Sequence, residues 1–165
     1  MSEYLDIVDD NDNATGKDTR ENIYKKGLRH SVRVVNIFLF NSKGELLIPK
    51  RSKNRDLFPS SYDFSCGEHL ISGEDYNSAA IRGLKEELGL SNLKLLELGK
   101  LTPKSGVNCF MKIFKVIYDG KINYDHEAIE SINFYTLEVV RKMLNEMPDK
   151  FKPDFKPVFR IFFSL

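Results

Sequence analysis

The segment between Asp75 and Gly89 constrains the fold of this chain more than any other part of its sequence. Asp75 is a residue type that caps helix N-termini, and Gly89 stands where helices commonly end in a left-handed residue. The apolar residues between them recur at helical spacing and form one stripe: Ala80, Ile81, Leu84 and Leu88. The segment is therefore predicted to be an amphipathic helix that packs its stripe against another element.

Short apolar runs around this helix predict strands. The clearest covers residues 34–40, and the turn at 41–44 leads into residues 45–49, which predicts a β-hairpin. Further strands are expected at residues 4–8, 62–65, 93–101, 109–118 and 132–135, and further helices at 20–26, 137–144 and 158–163. Strands interspersed with helices predict an α/β (α+β) fold with a mixed β-sheet. We expect a single domain over residues 1–165, with residues 1–30 as an N-terminal extension of one strand and a short helix.

Composition excludes several functional classes. Lys plus Arg is 25 and Asp plus Glu is 24, a net charge of +1, so a nucleic-acid polymer is not an expected partner. Cys66 and Cys109 are too few for a disulfide framework. No apolar run approaches the roughly 20 residues that cross a bilayer, and the first residues lack a secretory pattern. We therefore expect a cytoplasmic protein with no membrane association.

Glu86 and Glu87 are the residues of the predicted helix that first suggest chemistry. They are adjacent carboxylates near the C-terminal end, where the helix dipole is negative and disfavours acids. A hard cation such as Mg²⁺ would offset both penalties, because it takes carboxylate oxygens and leaves positions for water and phosphate. Arg82 lies four residues before Glu86, so the two side chains share a face. A solvated acidic helix face is the alternative interpretation.

The surrounding stretch resembles the Nudix box, a motif that contains Arg-Glu and Glu-Glu pairs in one helix. The residues at the required spacing are Glu74, Arg82, Leu84, Glu86, Glu87, Gly89 and Leu90. The flanks, residues 5–10, 40–51 and 58–69, resemble the Nudix branch close to isopentenyl diphosphate isomerase. The resemblance implies a Nudix fold with a mixed sheet sandwiched between helices. It also implies catalytic roles for Glu86, Glu87 and Arg82, bound Mg²⁺ or Mn²⁺, and structural roles for Gly67, Glu74 and Gly89.

Two positions depart from that motif. The box glycine is expected at position 68, where this chain has Glu68, and a glutamate is expected at 83, where it has Gly83. In the family the glutamate after the arginine is normally a metal ligand. We hypothesise that Glu68 projects toward the space left at Gly83 and joins Glu86 and Glu87 as a metal ligand. The alternative is that Glu68 points to solvent.

Positive charge for phosphate recognition is concentrated at residues 50–55. Arginine can bind phosphate through two parallel hydrogen bonds. The resemblance favours Arg51 and Arg55 as the diphosphate-binding residues. His69 and Glu130 are additional candidate site residues, as a metal ligand and as an extra acid near the metal. The Phe-rich C-terminus is predicted to belong to the core or to a homodimer surface.

The resulting functional prediction is a Mg²⁺-dependent hydrolase that cleaves a diphosphate linkage in a nucleoside diphosphate derivative or a similar organic diphosphate. One alternative is an isopentenyl diphosphate isomerase-like enzyme. Its catalytic cysteine would fall at Gly67, and its catalytic glutamate on the strand over residues 108–117, which contains no acid. A second alternative is a catalytically weakened module that binds a phosphorylated ligand, because Gly83 removes a carboxylate.

Overall fold

The computed structural model describes residues 2–164, which form eight strands and four α-helices. The strands are β1 (Tyr4–Val8), β2 (Ala14–Thr19), β3 (Arg33–Phe40), β4 (Leu46–Arg51), β5 (Cys66–His69), β6 (Leu96–Leu101), β7 (Phe110–Ile117) and β8 (Ile129–Tyr135). The helices are α1 (Arg20–Lys25), α2 (Tyr76–Leu88), α3 (Leu137–Glu146) and α4 (Phe155–Phe163). In this range no helix has the length and apolar character needed to span a membrane.

The large sheet is mixed, with strand order β6-β7-β3-β4-β8 and with β5 paired to β3 off this path. β3 and β7 are parallel, and the other pairs are antiparallel. β1 and β2 form a separate antiparallel pair. The predicted mixed α/β fold is therefore confirmed, whereas β2 is a strand that the sequence interpretation missed, because its residues are polar and mostly exposed.

Side chains alternate along β3 and supply both faces of the sheet. Val35, Ile37 and Leu39 belong to the core cluster on the α2 face. Phe38 and Phe40 belong to the opposite cluster, which includes residues of α3 and α4. The sheet is thus sandwiched between helices as expected. The Phe-rich C-terminus contributes to this second cluster, where Phe155 and Phe159 are fully buried.

The predicted hairpin at residues 34–49 is confirmed as an antiparallel β3–β4 pair, but the paired stretch is much shorter than expected. β3 pairs with β4 only at Phe40 and Leu46. Beyond that point β3 pairs with β5 over Val34–Ile37, and β4 pairs with β8 along its whole length. The predicted strand at 62–65 is also displaced, since Tyr62 forms only isolated bridges and the strand begins at Cys66. Strand partners depend on distant parts of the chain, which local turn patterns do not encode.

The helix that carries the two adjacent glutamates begins and ends as predicted. The Asp75 side chain accepts from the backbone N–H of Ser78, and Gly89 ends the helix with φ of 66°. Its buried stripe is rotated relative to the prediction, because Ile81 is 55% exposed while Ala79 and Gly83 are buried. The rotation follows from β5, which packs against the Gly83 side of the helix.

Candidate active site

A cavity of about 390 Å³ opens beside the C-terminal end of α2. Its walls come from β5, from the loop over residues 52–61 and from residues 152–154 just before α4. Side chains of β3 and β7, two central strands of the sheet, also line it, together with residues of α1. The cavity therefore gathers residues from the beginning, middle and end of the chain.

Arg82 is the centre of an ion-pair network on α2. Its Nε and Nη2 donate to the two carboxylate oxygens of Glu74 at 3.0 Å each, and Nη2 also donates to the carbonyl of His69 at 2.8 Å. Its Nη1 lies 3.3 Å from Glu68 Oε2 and 3.4 Å from Glu86 Oε2. Both of these glutamates line the cavity, and Arg82 does not. The geometry favours a positioning role for Arg82 over the catalytic role expected from the sequence.

The side chain of Glu68 lies over Gly83. A Cβ added at Gly83 would stand 2.5 Å from Glu68 Cγ and 3.1 Å from Cys66 Sγ. A residue larger than glycine at position 83 would therefore clash with Glu68 in its present position. This packing agrees with the first half of the sequence hypothesis, that Glu68 fills the space left at Gly83. The role of Glu68 as a metal ligand stays a prediction.

Glu87 faces the cavity from the last turn of α2 and is half-buried. Burial, and after it the negative charges of Glu68 and Asp63, raise the pKa of its carboxyl group. The backbone N–H of Asp125 donates to the carbonyl of Glu87 at 2.8 Å, which places a further cavity-lining acid at this end. The cavity therefore has an acidic end centred on Glu87.

The acidic end has some of the features that a divalent cation requires. Within residues 2–164 no three His, Cys, Asp or Glu side chains are grouped so that they could hold a metal ion by themselves. Mg²⁺, however, is usually bound through one or two carboxylates plus water and substrate phosphates. Glu68 and Glu87 both line the cavity, and burial raises the pKa of each. A cation would offset their repulsion, so this pair fits Mg²⁺ or Mn²⁺, with Glu86 on the rim at 58% side-chain exposure.

The two arginines predicted to bind phosphate differ in their surroundings. Arg51 pairs with Asp63 at 2.9 Å and donates to the carbonyls of Leu57 and Phe58, so it holds the loop over residues 52–61 in place. Arg55 lines the same cavity and, among the residues that the structure describes, has no carboxylate within 4.0 Å. Its guanidinium is therefore the more available phosphate donor of the two.

Of the two additional candidates, His69 lies at the cavity and Glu130 does not. The Tyr24 hydroxyl lies 2.5 Å from His69 Nε2, and His69 lines the cavity. Burial and the nearby Arg20 lower the pKa of His69 to about 3, so the imidazole is neutral near pH 7. Glu130 does not line the cavity and pairs with Lys50 at 3.2 Å, because it follows the buried Ile129 on a strand where side chains alternate.

Two predicted structural glycines stand at close backbone approaches. A Cβ added at Gly67 would lie 2.7 Å from Asn36 Oδ1, so a side chain there would displace the buried asparagine. At Gly89 the positive φ and a 2.8 Å approach to the Asn123 carbonyl both oppose any larger residue. Both observations agree with structural roles for these residues.

Several charged cavity residues were not found from the sequence. They are Arg20 and Arg29 near the N-terminus and Lys152 and Asp154 near the C-terminus. Each is far from the Glu-Glu helix along the chain and belongs to no recognised motif. The available signal was weak: a charged residue stands on each side of Pro153, but charged residues are frequent in that region.

Comparisons with known proteins agree with this architecture. A family model described as the NUDIX domain matches residues 30–155. An uncharacterized Nudix hydrolase of Nostoc sp. is 42% identical over 90% of this chain and 89% of its own length. An isopentenyl-diphosphate Delta-isomerase of Serratia proteamaculans is 30% identical over 92% of this chain and 86% of its own length. The crystal structure of DR0079 from Deinococcus radiodurans has a TM-score of 0.88 and 31% identity, covering 98% of this chain and 99% of that one.

Proposed function

Because this chain belongs to the Nudix family and is an enzyme of the Nudix type, we propose that it hydrolyses a diphosphate linkage in a nucleoside diphosphate derivative or a similar organic diphosphate. The reaction is proposed to depend on Mg²⁺ or Mn²⁺. The observation that carries the proposal is one cavity with an acidic end, at Glu68 and Glu87, and a cation available for phosphate, Arg55. A cavity with both features can bind a divalent cation and a polyanionic substrate next to each other.

Different residues of the chain have different roles in the proposed reaction. Glu87 and Glu68 would hold the divalent cation, which would supply neutralisation of phosphate charge and activation of water. Arg82 positions Glu68 and Glu86 through its Nη1 contacts while its other donors remain on Glu74. Arg55, which lines the same cavity, binds a phosphate oxygen of the substrate through its guanidinium.

A hydrolysis screen with Mg²⁺ or Mn²⁺, read by chromatographic separation of substrates and products, tests the proposal. The substrates are nucleotide sugars, dinucleotides, nucleoside diphosphates and prenyl diphosphates. We expect turnover of at least one, and a loss of at least about a hundredfold in Glu87→Gln, because the change removes one of the two proposed ligands of the cation, and even groups that only support metal ligands cost about 10–100-fold when mutated. Glu138→Gln, an exposed glutamate on α3, is the matched control and is expected to retain activity. Saturable binding without turnover of any substrate would contradict the hydrolase and favour a binding module.

The isomerase alternative has less support from this chain's residues. Isomerisation needs a proton donor and a proton acceptor across the allyl unit. Gly67 stands where the isomerase cysteine would fall, and β7 carries no carboxylate. The neighbouring Cys66 is buried in the α2 core cluster, and burial together with Glu87 raises the pKa of its thiol, so it is a poor substitute. Formation of the allylic isomer from isopentenyl diphosphate, read by the same separation of products, would reverse this preference.

Three related statements stay predictions. A small diphosphate compound is the expected substrate, the cytoplasm is the expected location, and one domain over residues 1–165 is the expected organisation. A homodimer is a further expectation that gel filtration with light scattering would test: a mass of twice 19.1 kDa would support it.

A further inference from the structure

The loop over residues 52–61 carries Arg55, the proposed phosphate-binding residue, to the cavity. Two of its residues, Phe58 and Ser60, have left-handed backbone conformations, with φ of 50° and 58°. Residues other than glycine rarely adopt this conformation, because their Cβ atom lies too close to the backbone. Such a loop keeps its shape only where contacts with the surrounding structure hold it.

Arg51 supplies these contacts from the end of β4. Its Nε donates to the carbonyls of Leu57 and Phe58 at 3.2 and 3.1 Å, and its Nη2 donates to the carbonyl of Leu57 at 2.8 Å. Its backbone N–H donates to the carbonyl of Ser61 at 2.8 Å. The planar guanidinium offers five donors in a fixed arrangement, so one side chain can bind several carbonyl groups at once. Arg51 therefore contacts the loop on both sides of its strained part.

Asp63 fixes the orientation of the Arg51 guanidinium. Its Oδ2 accepts from Arg51 Nη1 at 2.9 Å, and its Oδ1 accepts from the backbone N–H of Phe64 at 2.7 Å. The two side chains of this ion pair are only 15% and 13% exposed. A buried ion pair with further hydrogen bonds is costly to break on one side, because the remaining charge is left without its partner. Asp63 therefore acts on the loop through Arg51.

Arg55 depends on the loop for its position. Its backbone N–H donates to the carbonyl of Ser52 at 3.2 Å, and the N–H of Ser52 donates to the carbonyl of Ala128 at 2.9 Å. In the part of the chain that the structure describes, no carboxylate within 4.0 Å holds the guanidinium of Arg55 itself. Burial raises the pKa of Glu87 and the charge of Arg55 acts in the opposite direction, so this charge lies near the acidic end of the cavity.

We propose that Asp63 and Arg51 are positioning residues for the phosphate-binding Arg55. Asp63 orients Arg51, Arg51 holds the loop, and the loop presents Arg55 to the substrate. The inference rests on the proposed function for the role of Arg55. It predicts an effect opposite to that of charge alone. Removing the negative charge of Asp63 from a cavity that binds an anion should strengthen binding by Coulomb attraction, whereas loss of the loop contacts should weaken it.

Binding calorimetry on the full chain tests the inference without catalysis. The probe is methylenediphosphonate with Mg²⁺, a diphosphate analogue whose P–C–P link is not hydrolysed. Asp63→Asn should weaken its binding about fivefold or more, because the amide has one acceptor for the two donors that Asp63 binds. Asp56→Asn, an exposed aspartate of the same loop, is the matched control. It removes the same charge without these contacts, so binding should be as tight as in the wild type or slightly tighter.

A coupling measurement shows whether Asp63 acts through Arg55. Arg55→Ala alone should weaken binding about tenfold. Adding Asp63→Asn to Arg55→Ala should weaken it by less than about twofold more, since no guanidinium remains to be positioned. In Asp63→Asn the loop should also be cleaved faster by trypsin after the exposed Lys53. On a substrate that the hydrolysis screen identifies, Asp63→Asn should raise KM by a larger factor than it lowers kcat.

Arg51→Lys covers the case in which Asp63→Asn does not fold. It keeps the charge, but one ammonium group cannot reproduce the arginine's contacts with both carbonyls and the carboxylate. It should show the same loss of affinity and the same coupling to Arg55→Ala.

Unchanged or tighter binding in folded Asp63→Asn would overturn the inference. Additive losses with Arg55→Ala would do the same, because they would mean that Arg51 or Asp63 acts on the phosphate directly. Weaker binding without faster loop cleavage would also contradict it, and a wild type that does not bind the diphosphonate would remove both the inference and the proposed site. The expected binding results without turnover of any substrate would sink only the proposed hydrolysis.

Discussion

Exchanging residues 68 and 83 is the sharpest test of how this site is built. The side chain of Glu68 occupies the space beside α2 where a Cβ at position 83 would stand 2.5 Å from Glu68 Cγ. The perturbation is a set of three variants: Glu68→Gly, Gly83→Glu, and the double exchange, which restores the arrangement that the Nudix box normally has. If the two positions share one space, each single change should be costly and the double exchange should be tolerated.

The expected free energies follow from the contacts. Gly83→Glu removes a helical glycine, which gains roughly 1 kcal/mol, but it forces the Glu68 side chain aside, at about 1–3 kcal/mol, and adds a like charge beside Glu87. Glu68→Gly loses the 3.3 Å contact with Arg82 and opens a void over Gly83, together on the order of 1–2 kcal/mol. In the double exchange the new side chain fills that void. The coupling free energy should therefore be about 1–3 kcal/mol in favour of the double variant.

Urea unfolding measures the free energy of unfolding of all four proteins, and calorimetry measures Mn²⁺ binding. We expect the double exchange to retain Mn²⁺ affinity within about threefold and Glu68→Gly to weaken it about tenfold or more. The control pair is Glu68→Gly with Gly16→Glu, because an added Cβ at Gly16 meets nothing within 4 Å. These two changes should add within about 0.5 kcal/mol.

Additive single effects at positions 68 and 83 would refute the shared-space argument. So would a Gly83→Glu variant about 1 kcal/mol more stable than the wild type, since that is the full gain from removing a helical glycine and means that Glu68 moves aside at no cost. Full Mn²⁺ affinity in Glu68→Gly would leave the packing argument intact and remove Glu68 from the proposed ligands.

Two further predictions follow from other contacts. Asp12 accepts from Arg33 at 2.6 Å and from Tyr76 at 2.9 Å. Lys100 and these two partners lower the pKa of Asp12, although its burial acts in the opposite direction. A lowered carboxyl pKa stabilises the fold above about pH 4, and that contribution is lost at lower pH. Asp12→Asn should therefore lower Tm at pH 7 and flatten the fall in Tm between pH 5 and pH 2, whereas the exposed Asp10 changed to Asn should match the wild type in thermal scans. Arg55→Ala should raise KM for the diphosphate substrate about tenfold with little change in Tm, and an equal KM rise in the exposed Lys53→Ala would show that only general positive charge matters.

Local features of the sequence predicted the helix of the site correctly. Asp75 and Gly89 fixed its ends because capping hydrogen bonds and a left-handed C-terminal residue act within a few positions of the chain. The same locality explains the correct prediction of α3, whose Thr136 side chain accepts from the N–H of Val139. The approach of Glu68 to Gly83 was also anticipated, because one missing side chain and one additional side chain implied a shared space.

Features that depend on distant partners were predicted poorly. The turn at residues 41–44 indicated a hairpin, and β3 and β4 do pair beside it, but only at Phe40 and Leu46, because β5 pairs with β3 over Val34–Ile37. Ile81 fits the helical period but is exposed, since the packing of β5 decides which face of α2 is buried. Glu130 has the right charge for the site, but strand alternation points it to Lys50.

The amino-acid sequence by itself determined the helices, most strand positions and the acidic pair on α2, because hydrophobic period, capping and turn chemistry act over a few residues. Only the tertiary structure decided that Arg51 holds a loop while Arg55 remains available, and that Lys152 and Asp154 meet Glu68 and Glu87 in one cavity. Segments that are distant along the chain come together only in the folded protein. The burial and the charge pairing of the site residues depend on those contacts, so the sequence pattern alone does not reveal them.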